Sequence, residues 1–465
     1  MPGKSKDIMP LIIVVAMGLS IALDFCLSPA TDYPLWKIRS ATFLALTPVG
    51  LFFAIRARKW LLLSAMLLLA LFEGSLFDHV DKRVVKKAMH CREVSRQSAA
   101  GWRWDRLYRS VAAASEGENI VVSPCGVASA LALIGIGAGG DTARAFGSVF
   151  SMAEEECKDT DRLHKCIKWL FVFQSAVLRD ASCVYSRVEM KNSMWLDLKL
   201  KTHRSFVDAM RAFDVEVHSV DMAGDATSAI NSHVRQATKG RIDRILESAP
   251  PRNTCLIAVN SVSFHGEWQV PFNKAETFNG AFHAPGGDKS VSFMHASRPA
   301  ELCEHEGVVA LRLPYRGDGL EMVFVLPPEG QPIAAVEARL DAAFLNMLIS
   351  KSRMADLVTI SLPKFGFSES VDLKDAVKST ALCVAFTGDA DFSGIADESL
   401  VISEVLQNAC IRVDEDGTEA AAATSVVMQC ASVTENAFIA DRPFLFVLRE
   451  KRHGLVLFAG RVVSP

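Results

Sequence analysis

A catalytic chain needs a nucleophile, a base and a donor for developing charge, all held at fixed spacing. This sequence has many Ser, His and Asp residues, but none fall into such a pattern. It contains no G-x-S-x-G turn of the kind that exposes a hydrolase serine. It contains no H-E-x-x-H; His305 sits in CEHEG and lacks a second histidine one helical turn away. The eleven cysteines are scattered singly, with no C-x-x-C pair, so a zinc cluster or a redox dithiol is unsupported. Most read as buried thiols acting as small hydrophobes. Gly135 to Gly140, GIGAGG, matches the dinucleotide fingerprint G-x-G-x-x-G. That fingerprint needs a strand before it and a helix opening on it. Here an apolar helical run precedes it, so it reads as a glycine-rich helix exit. No enzymatic activity, cofactor or metal is expected.

The formal charge is −3, which implies no general attraction to nucleic acid. Arg162, Lys165 and Lys168 recur at three-residue spacing, a pattern that favours a solvated helix face over a polyanion site.

What remains is a segment to which chemistry can be done. Val413 to Val427 reads VDEDGTEAAAATSVV. Gly417 turns the backbone at no steric cost. The alanines after it favour helix, and the β-branched pair beyond them favours strand. Strand side chains alternate between faces. As a strand, this segment would put Thr418, Ala420, Ala422, Thr424 and Val426 on one face, all small or apolar. That face is suited to burial inside a sheet.

The stretch EDGTEAAAATSVV resembles the hinge of an inhibitory serpin. Phe438 to Leu448, FIADRPFLFVL, and Phe458 to Pro465, FAGRVVSP, are similar to that family's C-terminal signature. Asn260, Phe264, Gly266, Trp268, Pro271 and Phe272 resemble its N-x-x-x-F-x-G-x-W-x-x-P-F pattern. The resemblance covers roughly residues 99 to 465. Mixed helices and strands without a βαβ repeat point to α+β. The resemblance implies the serpin fold, with a large, mainly antiparallel central sheet, surrounding helices and an exposed reactive-centre loop over about 415–438.

The resemblance also implies a mechanism. A protease attacks the loop and forms an acyl-enzyme; the cut loop then enters the central sheet as a new strand. The implied hinge is Glu415, Gly417, Thr418, Glu419, Ala420, Ala421, Ala422, Ala423 and Thr424. Counted from Gly417, the implied reactive bond is Ala431–Ser432, or Cys430–Ala431 if the register slips by one. A small residue there suits an elastase-like serine protease; a cysteine protease is a further candidate partner. No basic residue lies between Ser425 and Asn436, which disfavours trypsin-like targets. Lys364 and Glu415 match the family's clamp at the top of the sheet. Trp268 matches the tryptophan beneath loop entry, and Ser123 and Asn260 match the polar cluster where the sheet parts. This chain departs from the family in having Gln407 in place of histidine and Gly126 where serine is common. Both departures lead us to expect easier spontaneous loop insertion. The rival readings are a non-inhibitory serpin, acting as chaperone or carrier, and a membrane protein whose globular part is a binding module.

Residues 1–95 differ in character from residues 96–465. Leu11 to Leu23, Ala41 to Ile55 and Trp60 to Phe72 are apolar runs, and Lys4 and Lys6 precede the first. Each is shorter than the roughly 20 residues of a simple span. A secretory signal or anchor with membrane-associated helices is favoured over an apolar subdomain, which places the chain in the secretory pathway, membrane-anchored or extracellular. His79 to Arg96 reads as a charged linker.

Overall fold

The computed structural model describes residues 103–238, 240, 243–251, 254–418 and 436–465. The chain divides between Glu93 and Val94, and every described residue lies in the second unit. The three N-terminal apolar runs, the hinge beyond Thr418 and both candidate reactive bonds fall outside the described residues. Among those described, no helix is long and apolar enough to cross a membrane.

Helix α1 (Trp104–Ala114) buries Trp104, Leu107, Tyr108 and Val111 on one face, as their spacing predicts. Strand β1 (Ile120–Val122) leads into α2 (Pro124–Gly135). Ser123 caps α2 by accepting from Gly126 N, and Pro124 occupies the first turn, where its missing N–H is harmless. Every residue of α2 is buried, as a helix apolar all round requires. Its glycine-rich exit leads to α3 (Gly140–Val149), so GIGAGG joins two helices and lacks the strand a dinucleotide site needs. Helix α4 (Thr160–Ala181) carries the basic trio; Arg162 pairs with Glu156 at 2.6 Å.

The functional frame is a six-stranded sheet. Strand β2 (Ser186–Asp197) is followed by α5 (Arg204–Ala212), β3 (Glu216–Val220), α6 (Ala226–Ala237) and β4 (Leu256–Glu267). Strands β5 (Phe278–Ala284), β6 (Gly287–His305), β7 (Val308–Pro314), β8 (Leu320–Leu326) and β9 (Arg353–Pro363) belong to a second sheet. Strands β10 (Phe365–Asp372), β11 (Glu404–Val413) and β12 (Gly417–Thr418) return to the first, whose order is β10-β11-β12-β4-β2-β3. Strands β13 (Asn436–Ile439), β14 (Phe444–Glu450) and β15 (Val456–Val462) complete the second sheet with β1.

Most pairings in the six-stranded sheet are antiparallel, but β11 and β4 run parallel from Glu404↔Ile257 to Cys410↔Ser263. The main core fills the space between the two sheets and includes Trp268, Tyr315, Phe324, Phe444 and Phe446. A second cluster joins Ile230 and Val234 of α6 to Trp195, Ile257, Val259 and Leu406. Helix α6 therefore lies across the seam where β4 meets β11.

Val358 to Phe367, VTISLPKFGF, has strand character throughout, yet it is the end of β9 and the start of β10 in different sheets. The chain changes sheet at Lys364, immediately after Pro363, which has no N–H to offer a ladder. Of the loop expected over about 415–438, the described residues are 415–418 and 436–438. Glu415 to Thr418 is buried, and Asn436 to Ile439 pairs in parallel with Val358 to Ser361 on β9.

Candidate functional site: the seam and its hinge

The upper end of the seam is closed by the hinge itself. Gly417 and Thr418 pair with Glu267 and Gly266 of β4, and Thr418 also pairs with Val413 of β11. Both pairings are antiparallel. Two parallel strands separate at their tops, and the chain starts down between them. Gly417 adopts φ +154°, and a Cβ there would lie 2.0 Å from the Gly266 carbonyl oxygen, so only glycine passes this point. Thr418 is fully buried and shares a 2.7 Å hydroxyl hydrogen bond with Tyr315. Burial pushes the Tyr315 phenol pKa well up, against the smaller downward pull of Thr418, so it stays neutral.

The turn before the hinge is held from several sides. Asp414 N donates to Gly417 O at 2.8 Å, and Gly417 N returns to Asp414 O at 3.2 Å. Trp268 stacks on Tyr315 with ring centroids 4.4 Å apart, and its indole Nε1 donates to Asp414 O at 3.0 Å. Lys364 Nζ lies 3.1 Å from the Glu415 carboxylate, the clamp the resemblance implies. Thr277 adds a 2.7 Å hydroxyl bond to Glu415, and Lys274 pairs with Asp416 at 2.7 Å. Burial alone would raise the Glu415 pKa. The Thr277 hydroxyl, its own backbone amide and Lys364 outweigh burial and hold it below the usual carboxylate value. Asp414 goes the other way, because burial dominates there.

Lower down, a chain of amides crosses the seam. Gln407 Oε1 accepts from Ser123 N at 2.7 Å; Gln407 Nε2 donates to Ser123 O and to Asn260 Oδ1, both at 2.9 Å. Asn260 Nδ2 passes the chain on to Asn192 Oδ1 at 2.8 Å. Ser123, Asn260 and Gln407 thus meet as expected, and Gln407 has three good hydrogen bonds. Gly126 belongs to the same arrangement: a Cβ there would sit 2.1 Å from Asn260 Oδ1. The two departures from the family pattern are one packing solution, with the asparagine filling the space a serine would take.

Sequence reasoning missed Asn192, Thr277, Tyr315, Lys274 and Asp416. Asn192, Lys274, Thr277 and Tyr315 sit far from the hinge motif in the chain and carry no local spacing signal; Asp416 lies within the motif, and it is its partner Lys274 that is distant. A family model described as "Serpin (serine protease inhibitor)" matches residues 105–465.

The chain is a serpin.

This serpin is 33% identical to Serpin-Z1C of Triticum aestivum over 371 residues, covering 76% of this chain and 91% of the wheat protein. It is 32% identical to plasminogen activator inhibitor 1 of Bos taurus over 374 residues, covering 77% and 90%. Among solved structures it resembles human thyroxine-binding globulin complexed with thyroxine, at TM-score 0.71 and 25% identity, over 80% and 99% of the two chains. Serpins as a family inhibit proteases; they are not catalysts. The α+β serpin fold expected from sequence is the fold observed.

Proposed function

We propose that this serpin is a suicide substrate that traps an elastase-like serine protease. The observation that carries this reading is the hinge start, Gly417–Thr418, seated at the mouth of the β4–β11 seam and antiparallel to both strands. Continuing both registers downward aligns residue 420 with Phe264 and Ile411, and residue 422 with Val262 and Ala409. Residue 424 falls level with both Asn260 and Gln407, which are themselves paired across the seam. The two registers close on one path. Ala420, Ala422 and Thr424 are small enough to follow it, whereas a large or charged side chain would have to be desolvated first. Insertion exchanges one parallel ladder for two antiparallel ones, which are slightly more stable per residue.

In the proposed reaction, the protease hydroxyl adds to the Ala431 carbonyl and the bond to Ser432 breaks. The hydroxyl proton passes through the protease base to the departing Ser432 amine. The acyl-enzyme then moves with the entering strand. Incubation with a neutrophil-type elastase tests this reading: an SDS-stable adduct and release of a peptide beginning at Ser432 are expected. Complete cleavage without an adduct would overturn it. That outcome would favour a carrier, the reading to which likeness to a thyroxine-binding protein lends support.

We further propose that residues 1–95 direct this serpin into the secretory pathway and to a membrane. Recovery of the intact chain wholly in the soluble cytosolic fraction would refute that.

A further inference from the structure

One polar cluster plays no part in the seam. Glu216 and His218 lie two residues apart on the edge strand β3 and so share a face, and His233 reaches them from α6. Glu216 Oε2 is 3.2 Å from His218 Nε2 and 3.7 Å from His233 Nδ1. One donor atom from each of the three residues lies within 4.8 Å of the other two. Trp195 backs the cluster: its ring stacks on His218 at 4.2 Å and meets His233 edge-on at 5.5 Å.

We propose that Glu216, His218 and His233 form a binding site for one zinc-class divalent ion, which ties α6 to β3. Zinc takes imidazole and carboxylate donors at about 2.0–2.2 Å in a tetrahedron, which sets those donors about 3.3 Å apart. Two of the three separations lie close to that value already. Two imidazoles and one carboxylate make a borderline-soft donor set, which selects zinc, cobalt or copper over magnesium and calcium, ions that prefer all-oxygen shells. His218 must carry its proton on Nδ1 and His233 on Nε2, leaving the inward nitrogens free to ligate. With three protein ligands, the fourth position stays open to water.

The experiment uses the full chain, zinc in calorimetry and cobalt in absorption. The expected result is one equivalent of zinc bound, a rise in melting temperature, and a visible cobalt spectrum without the strong near-ultraviolet band of thiolate ligation. Magnesium should leave the melting temperature unchanged. His233→Gln and Glu216→Gln should each abolish the zinc-dependent rise while keeping the metal-free melting temperature and circular dichroism. Absence of saturable binding would overturn the site, as would binding that survives both substitutions. A sulfur-to-cobalt band would assign the metal to the cysteines and also overturn it. None of these readouts depends on protease inhibition.

Discussion

Gln407 donates to Asn260 across the β4–β11 seam at 2.9 Å, and both side chains are buried. Any strand entering the seam must break this bond, because the entering residue takes the position between them. Gln407→Leu would take the partner from the Ser123 amide and from Asn260 Oδ1, while the Ser123 carbonyl would keep its bond from Val127 N. A buried group left unsatisfied costs about 1–3 kcal/mol. The variant should melt at lower temperature and lose inhibitory activity on storage faster than the parent. Equal rates of loss at 37 °C would show that this bridge does not hold the seam shut. The hydrogen bonds seen give no support to easier spontaneous insertion on account of glutamine, which here has three partners.

Gly126→Ser tests the packing partnership. The new Cβ would meet Asn260 Oδ1 at 2.1 Å and push it from Gln407. We expect destabilisation of about 1–3 kcal/mol by chemical denaturation, the range for a buried polar group left unsatisfied. Combined with Gln407→Leu, the two effects should sum to less than their separate values, since both remove one bond. Full additivity would separate the two sites.

Tyr315 and Thr418 hold the first inserted residue through their hydroxyl pair. Tyr315→Phe keeps the ring that stacks on Trp268 and removes only this bond. The hinge should then leave the sheet more readily, read as faster protease nicking near Gly417. Thr418→Arg goes further, because a charged side chain cannot occupy the buried site without partners. It should convert the inhibitor into a substrate, seen as cleavage without an adduct. Continued trapping by this variant would show that Thr418 does not face the interior during insertion.

The clamp at Glu415 predicts a pH dependence. Its folded pKa lies below the ordinary value, so its ionised form stabilises the folded state. That contribution is complete above the ordinary glutamate pKa of about 4.3 and is lost as pH falls through the lower folded value. The melting temperature of the parent should therefore exceed that of Glu415→Gln at neutral pH, and the gap should close below about pH 4. Because the comparison is a difference, the opposite trend of Asp414 largely cancels. A gap that stays constant down to pH 3 would remove Glu415 from the clamp.

Local pattern made several features readable. The unbroken apolar run of α2, the Ser123–Pro124 start and the one-sided face of α1 all follow from side-chain period and capping chemistry. Gly417 could be singled out because glycine turns the backbone at no steric cost, while its close approach to Gly266 shows only in the structure. The clamp pair Lys364–Glu415 and the trio Ser123, Asn260 and Gln407 were reached through family resemblance, and the structure brings each set together.

Other features could not be read, because they depend on which distant segments become neighbours. Asn192 and Asn260 are 68 residues apart in the chain, and nothing in either local stretch announces the other. The stretch that splits at Lys364 has strand character on both sides, which hides the change of sheet; the slip of its apolar phase from Leu362 to Phe365 is the one local mark of it. The composition of the hinge showed that it could be buried, since small alternating side chains permit it. Only the tertiary structure decided that Gly417 and Thr418 are already inside, because that position exists only where two parallel strands diverge over Tyr315.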